Sequence, residues 1–159
     1  MHWLVLGVLL SLGASVAQGQ RAPSDTALRV AVIGQTDSIG LALAERVRAR
    51  LADAARGGHA IIVTTHDVNV TVNMAYRFPS DPMGLRDIRE FGKLVAADIV
   101  LALVPDSSRV GNVQAFVLHS RLNKARRLGS WPAAGVEQSS AAILRAFQDD
   151  SLYRRIVAQ

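Results

Sequence analysis

The turn GQTDSIG, residues 34–40, is the stretch whose residue types most readily suggest chemistry, because it joins a β-branched run to a helix-like segment. The free backbone amides at a helix N-terminus can hold a phosphate. This turn lacks the lysine and the following Ser or Thr of a P-loop, and it lacks the glycine spacing of a dinucleotide-binding turn. Asp37 also places a negative charge where a phosphate would sit. The pattern favours a capped strand–helix turn, and a nucleotide or anion receptor using residues 34–40 is the alternative.

Residue types that usually carry catalysis or bind metals are few and scattered. The chain has no cysteine, which excludes a thiol nucleophile and a thiolate metal site. His66 and Asp67 are adjacent, but neighbours on a strand point to opposite faces and chelate poorly. Ser38, Ser139 and Ser140 lack the G-x-S-x-G turn of a serine hydrolase. We therefore predict no catalytic residue, no cofactor and no metal site; an envelope enzyme of unassigned activity is a further alternative.

A group of cations is the surface feature that most suggests a partner. Lys124, Arg126 and Arg127 fall at the predicted tip of the last hairpin. Long cationic side chains there can meet phospholipid, lipopolysaccharide or an acidic protein. The alternative is a solvated turn whose charges discourage edge-to-edge pairing of sheets. These three residues are the predicted partner-contact site.

Other charged residues predict solvated surface. The net charge is +5, and Arg46, Arg48 and Arg50 alternate with other residues along a helix, which indicates a solvated face. Asp149 and Asp150 near a helix end are expected to be solvated as well. Only 5% of the residues are aromatic, so few side chains can stack on bases, and nucleic acid is not an expected partner.

The N-terminal residues predict export. Residues 1–17, MHWLVLGVLLSLGASVA, contain an apolar run of the length of a secretory signal and end in small residues. Cleavage is expected after Ala17 or Gly19, and an uncleaved anchor is the alternative. Residues 18–27 then form a linker and residues 28–159 a single domain, periplasmic or secreted, with no transmembrane span after cleavage.

Hydrophobic periodicity predicts the elements that position these residues. Helices are expected from the 34–40 turn to Gly57-Gly58, over residues 84–95 and from Gly135, while residues 67–76 fit a strand or a short helix. Strands are expected at 28–33, 59–65, 98–104, 113–122 and 127–131, the last pair joined by a turn at 123–126. The order β-α-β-α-β-β-β-α predicts an α/β fold with a single mixed β-sheet of about five strands and helices packed on it.

The same periodicity predicts which side chains form the core. The sheet is expected to bury Val30, Val32, Ile62, Ile99, Leu101 and Val117. The helices are expected to contribute Leu43, Val47, Leu51, Leu85, Ile88, Phe91, Val95 and Leu144. His119 falls on the same face of its strand as Val113, Ala115, Val117 and Arg121.

Several short sequence segments, taken in their order along the chain, resemble those of a known family. They are RVAVIG with LALAERVRARLADAA, then IIVTTHDVN, then FGKLVAADIVLALV with its small-Ala-Asp step, and finally VQAFVLHSRLNKARRLGSW. Together they resemble the small α/β domain at the N-terminus of TolB, whose architecture also occurs in CsgG, FlgO and LpoB. The resemblance covers residue 28 to about residue 147 and brings no shared catalytic residues. The chain lacks the lipidated cysteine of several relatives and any following β-propeller.

The resemblance and the export signal together predict a function. Domains of this kind serve as binding or assembly modules, so the chain is expected to be a non-enzymatic binding or assembly module of the bacterial cell envelope. Its partner would be an envelope protein or an anionic envelope component, recruited by an exposed strand edge or by the basic hairpin.

Overall fold

The computed structural model describes residues 27–34, 38–55, 60–69, 85–120, 122–151 and 153–154. Within them the chain forms one five-stranded mixed sheet with helices packed on it, which confirms the predicted fold class. The strands are β1 (Leu28–Gly34), β2 (Ala60–Ile62), β3 (Ile99–Pro105), β4 (Asn112–His119) and β5 (Lys124–Pro132). The helices are α1 (Ser38–Ala54), α2 (Leu85–Leu94) and α3 (Val136–Gln148).

The strand order in the sheet is β2-β1-β3-β4-β5. β1 pairs in parallel with β2 and with β3, whereas β4 pairs antiparallel with β3 and with β5. Parallel neighbours need long crossover connections and antiparallel neighbours need only a turn. The helical segments accordingly connect the first three strands, and short turns connect the last three.

One face of the sheet is covered by α1 and α3. The core here joins alternate residues of β1, β3 and β4 to Leu43, Val47 and Leu51 from α1 and to Ile143 and Phe147 from α3. The residues predicted to be buried on this face belong to this core, except that Ile62 and Leu144 are partly buried and pack against its edge. Alternation places the intervening strand residues on the opposite face.

The opposite face is covered by α2. Ile88, Phe91 and Val95 pack on Val100 and Leu118 of the sheet, as predicted. Leu85 was expected to point inward, but 44% of it is exposed. Leu85 is the first residue of α2, so its side chain lies one turn before Ile88, the first helix residue that packs on the sheet.

The second strand is shorter than predicted. The strand ends at Ile62 rather than at residue 65, and a helical segment follows at residues 65–69. Residues 67–76 were predicted as a strand or a short helix, and residues 67–69 are helical. Thr64 begins this segment: its Oγ1 accepts a hydrogen bond from the Asp67 N–H at 3.1 Å and donates to Asp67 Oδ2 at 2.8 Å. The bond that Thr64 Oγ1 accepts caps the N-terminus of the helical segment. Residues 70–76 and Gly57-Gly58 lie outside the described residues.

The last hairpin turns earlier than predicted. Its final strand pair is His119 opposite Lys124, so the turn spans residues 120–123 rather than 123–126. Asn123 has a φ of 49°, a left-handed conformation that Asn tolerates better than most residues. Lys124 and Arg126 therefore belong to β5, an edge strand on which cations are well tolerated.

Candidate functional site

The three cations of the predicted partner-contact site do not form one cluster. Arg126 and Arg127 are neighbours on β5 and point to opposite faces of the sheet. Arg126 Nη1 donates to Asp150 Oδ2 at 3.2 Å and to Ser151 Oγ at 3.0 Å. Arg127 Nη2 lies 3.8 Å from Asp106 Oδ2. Two of the three cations therefore already face carboxylates of the chain itself, and Lys124 and Arg126, which were predicted in the turn, lie in β5.

A different basic site lies between α2 and the β4–β5 turn. We name it the α2 pocket; it is a cavity of about 370 Å³ lined by Arg86, Arg89, Glu90, Lys93, Leu118, His119, Ser120 and Asn123. Arg86, Arg89 and Lys93 are spaced three and four residues apart, which places them on one side of a helix. The lining combines these three cations with one carboxylate, so the pocket is electropositive.

Two backbone features bring α2 and the turn together. A Cβ atom at Gly92 would lie 2.8 Å from Val100 Cγ2 and 3.3 Å from Ser120 Oγ, so only glycine allows α2 to approach the sheet this closely. The Ser120 N–H donates to the Asp98 carbonyl at 2.9 Å and fixes the start of the turn. Helix and turn therefore hold the two walls of the pocket in place.

The polar groups of the pocket are unequally satisfied. Lys93 Nζ pairs with Glu90 Oε1 at 2.9 Å. Among the described residues, Arg86 and Arg89 form no ion pair, and Arg89 Nε and Ser120 Oγ are buried without a hydrogen-bond partner. Buried polar atoms are rarely left unpaired, because each unsatisfied group costs about 1–3 kcal/mol. These two atoms have almost no accessible surface, so they lie behind the wall of the pocket, and its binding capacity rests on the three cations that line it.

A buried histidine and carboxylate lie at the same end of the sheet, on the face covered by α1 and α3. His119 Nε2 is 3.7 Å from Asp150 Oδ1. Burial lowers the pKa of His119, and Asp150 opposes this shift. Within the described part of the chain, neither ring nitrogen of His119 has a hydrogen-bond partner, so no hydroxyl is poised for proton transfer to it. Asp150 was predicted to be solvated but is buried, because it also accepts bonds from Arg126 and from the Tyr153 N–H.

A second buried carboxylate, Asp106, holds the β3–β4 turn. It accepts hydrogen bonds from Ser108 Oγ at 2.6 Å, from Gln114 Nε2 at 2.7 Å and from Ser130 Oγ at 2.5 Å. The hydrogen bonds from Ser108, and then from Ser130, hold the pKa of Asp106 far below its usual range. Since Ser130 uses its proton on this carboxylate, it is not an activated nucleophile. This cluster fixes the turn.

Arg48 corrects the prediction of a solvated arginine face on α1. It is only 7% exposed, and its Nη2 donates to the Val32 carbonyl at 2.5 Å while Nη1 donates to Thr65 Oγ1 at 2.8 Å. Arg46 and Arg50 stay closer to the surface and pair with Glu137 of α3. Arg48 therefore ties α1 to β1 and to the segment after β2.

The structure describes only part of the 34–40 turn, so the alternative of a nucleotide or anion receptor there stays a prediction. Residues 35–37 of the 34–40 turn, Asp37 included, lie outside the described residues. Gly34 is described, and a Cβ there would lie 2.6 Å from the Gly40 carbonyl oxygen, so this glycine serves the close packing of α1 on β1. No group of three or more His, Asp or Glu side chains in the described ranges could hold a metal ion. No described helix is long and apolar enough to cross a membrane.

Sequence reasoning missed the α2 pocket, although one signal for it was present. The arginines and the lysine of α2 recur at helical spacing, and Arg86 lies in the first turn, where the positive end of the helix disfavours a cation. Comparison with known proteins adds no assignment: no protein-family model matches the chain, and the curated proteins contain no significant match. The resemblance to the TolB N-terminal domain therefore stays a prediction.

Proposed function

We propose that this protein is a non-enzymatic binding module of the bacterial cell envelope that holds an anionic component in the α2 pocket. The observation that carries the proposal is a cavity lined by three cations and one carboxylate, in which no described carboxylate pairs with Arg86 or Arg89. The predicted export signal at residues 1–17 and the resemblance to TolB support a periplasmic or secreted location.

A binding role is favoured over catalysis because the described groups of catalytic type are already engaged in structural contacts. Ser130 and Asp106 bond to each other, and His119 and Asp150 are enclosed together. An enzyme needs an acid, a base or a nucleophile that converge on a site open to substrate. The α2 pocket instead offers cationic donors, which suit recognition of an anion.

A capture experiment tests this proposal. The tagged wild-type protein and the double variant Arg86→Gln/Arg89→Gln are incubated with an envelope extract, and the bound anionic material is quantified. We expect capture by the wild type and at least about a tenfold reduction for the variant, as for loss of charged hydrogen bonds.

The matched control is Arg109→Gln/Lys124→Gln, which removes the same charge from two exposed positions outside the pocket. Near-normal capture by this control assigns binding to the pocket. Equal loss in both double variants would indicate attraction by net charge alone, and unchanged capture by the pocket variant would place the site elsewhere; either result contradicts the proposal.

A further inference from the structure

We infer that the anionic group recognised by the α2 pocket is a phosphate. This inference rests on the proposed function and names the chemical class of its ligand. The starting point is the number of donors. Arg86, Arg89 and Lys93 line one cavity with two guanidinium groups and an ammonium group, whereas a single carboxylate is already matched by one arginine fork. A phosphate has enough oxygens to accept from all three side chains at once.

Charge points the same way. Lys93 is partly neutralised by Glu90, at 2.9 Å, whereas no described carboxylate pairs with Arg86 or Arg89. Two unpaired guanidinium groups match a dianionic group better than a monoanion, and arginine is the residue best suited to binding phosphate through paired N–H donors.

The shape of the pocket adds a constraint on the ligand. A cavity of about 370 Å³ falls within the range of pockets that hold small molecules, about 300–1,000 Å³. It therefore has room for the group to which the phosphate is attached as well as for the phosphate. Both a lipid headgroup and a soluble phosphate ester offer this chemistry, and the experiment below separates them.

Binding is measured by calorimetry on the purified full chain with inorganic phosphate, pyrophosphate and acetate. We expect saturable binding of the two phosphates and at least about tenfold weaker binding of acetate. Arg86→Lys and Arg89→Lys each keep the charge but lose the fork, and each is expected to weaken pyrophosphate binding several-fold. Arg109→Gln, an exposed cation outside the pocket, is expected to leave binding within about twofold of the wild type.

Vesicles identify the source of the phosphate. Binding to phosphatidic acid vesicles that pyrophosphate competes away, with little binding to phosphatidylserine vesicles of equal surface charge, assigns a lipid headgroup. Binding of soluble phosphates without vesicle binding assigns a soluble ester. The inference is overturned if phosphates bind no better than acetate, or if Arg86→Lys and Arg89→Lys both bind pyrophosphate like the wild type.

The two proposals fail in different ways. If capture of envelope material depends on Arg86 and Arg89 but phosphate is not preferred over acetate, the binding module stands and the phosphate assignment falls. If phosphate binds in the pocket but the envelope extract yields no captured material, the ligand class stands and the envelope role falls.

Discussion

His119 shows how a single buried residue couples this fold to pH. The imidazole is 1% exposed and lies 3.7 Å from one oxygen of Asp150, while Arg126 approaches the other oxygen and Lys124 lies opposite on β5. Burial lowers the pKa of His119, and the attraction of Asp150 opposes this effect without reversing it. The folded protein therefore carries a neutral imidazole at neutral pH.

This lowered pKa predicts the pH dependence of stability. An unfolded histidine has a pKa of about 6.5, so below that pH the unfolded chain binds more protons than the folded chain at this site. The stability contributed by neutral His119 is present above about pH 6.5 and is lost as the pH falls below it. We expect the urea midpoint to decrease between pH 7.5 and pH 5.5, and this decrease to become smaller in His119→Leu. His66→Gln, at an exposed position, should keep the wild-type slope; an unchanged slope in His119→Leu would contradict the prediction.

The sequence predicts which apolar residues form the core, but it does not predict which polar residues are buried. Periodicity places Leu43 or Phe91 inside because each needs only to face the sheet. Arg48 and Asp150 were predicted to be solvated, and both are buried. Their burial depends on specific partners that come from other elements, such as the Val32 carbonyl for Arg48. A helical pattern alone contains no information about those partners.

At the element scale, the end of α2 determines how the helix joins β3. The Ala97 N–H donates to the Gly92 carbonyl at 2.9 Å and the Ala96 N–H to the Lys93 carbonyl at 3.1 Å, which are the two bonds of a Schellman motif. Ala96 has a φ of 50°, in the left-handed region where glycine is the usual residue. Asp98 then accepts a bond from the Arg29 N–H at 2.9 Å and starts the strand.

This motif predicts an unusual stabilising substitution. An L-residue in the left-handed conformation costs about 1–2 kcal/mol, which exceeds the roughly 0.4–1 kcal/mol that glycine loses through the greater freedom of the unfolded chain. Ala96 is exposed, so no packing is lost. We therefore expect Ala96→Gly to raise the free energy of unfolding by about 0.5–1 kcal/mol, measured by urea denaturation.

The matched control is the same change in a regular helix. Ala49 is exposed in the interior of α1, where Ala49→Gly should lower the free energy of unfolding by about 1 kcal/mol. The two substitutions should therefore have opposite signs. Destabilisation by both would show that Ala96 does not adopt a strained conformation.

The sequence predicts the helices and strands better than the residues at which they end. The α2 pocket depends on one such boundary, the turn between β4 and β5. The sequence predicts the last turn at residues 123–126, whereas strand pairing places it between His119 and Lys124. The pocket forms where this turn meets α2, and Ser120 lies more than 25 residues from Arg89 in the sequence. The helical spacing of the α2 cations was visible in the sequence, but their proximity to Ser120 follows only from the register of the sheet and the contact at Gly92.

At the scale of the whole molecule, β3 connects the two halves of the core. Ile99, Leu101 and Leu103 face α1 and α3, while Val100 and Ala102 face α2. β3 also pairs with β1 on one side and with β4 on the other. Both hydrophobic clusters therefore depend on one central strand, which predicts that the two faces unfold together.

Truncation of Leu101 tests this coupling. Leu101 is fully buried, so Leu101→Ala should lower the free energy of unfolding by about 2–5 kcal/mol through lost burial and a residual cavity. Far-UV circular dichroism reports the helices on both faces, and Trp131, which packs against the α1–α3 cluster, contributes to the fluorescence signal. The two urea transitions should coincide in the wild type and in the variant.

Leu94→Ala is the control, at a position 59% exposed on α2. It should change the free energy of unfolding by no more than about 0.5 kcal/mol. A strand shared by both cores should transmit the loss of stability at Leu101 to each of them. Separate transitions for the two probes would therefore mean that the α2 face and the α1–α3 face fold independently.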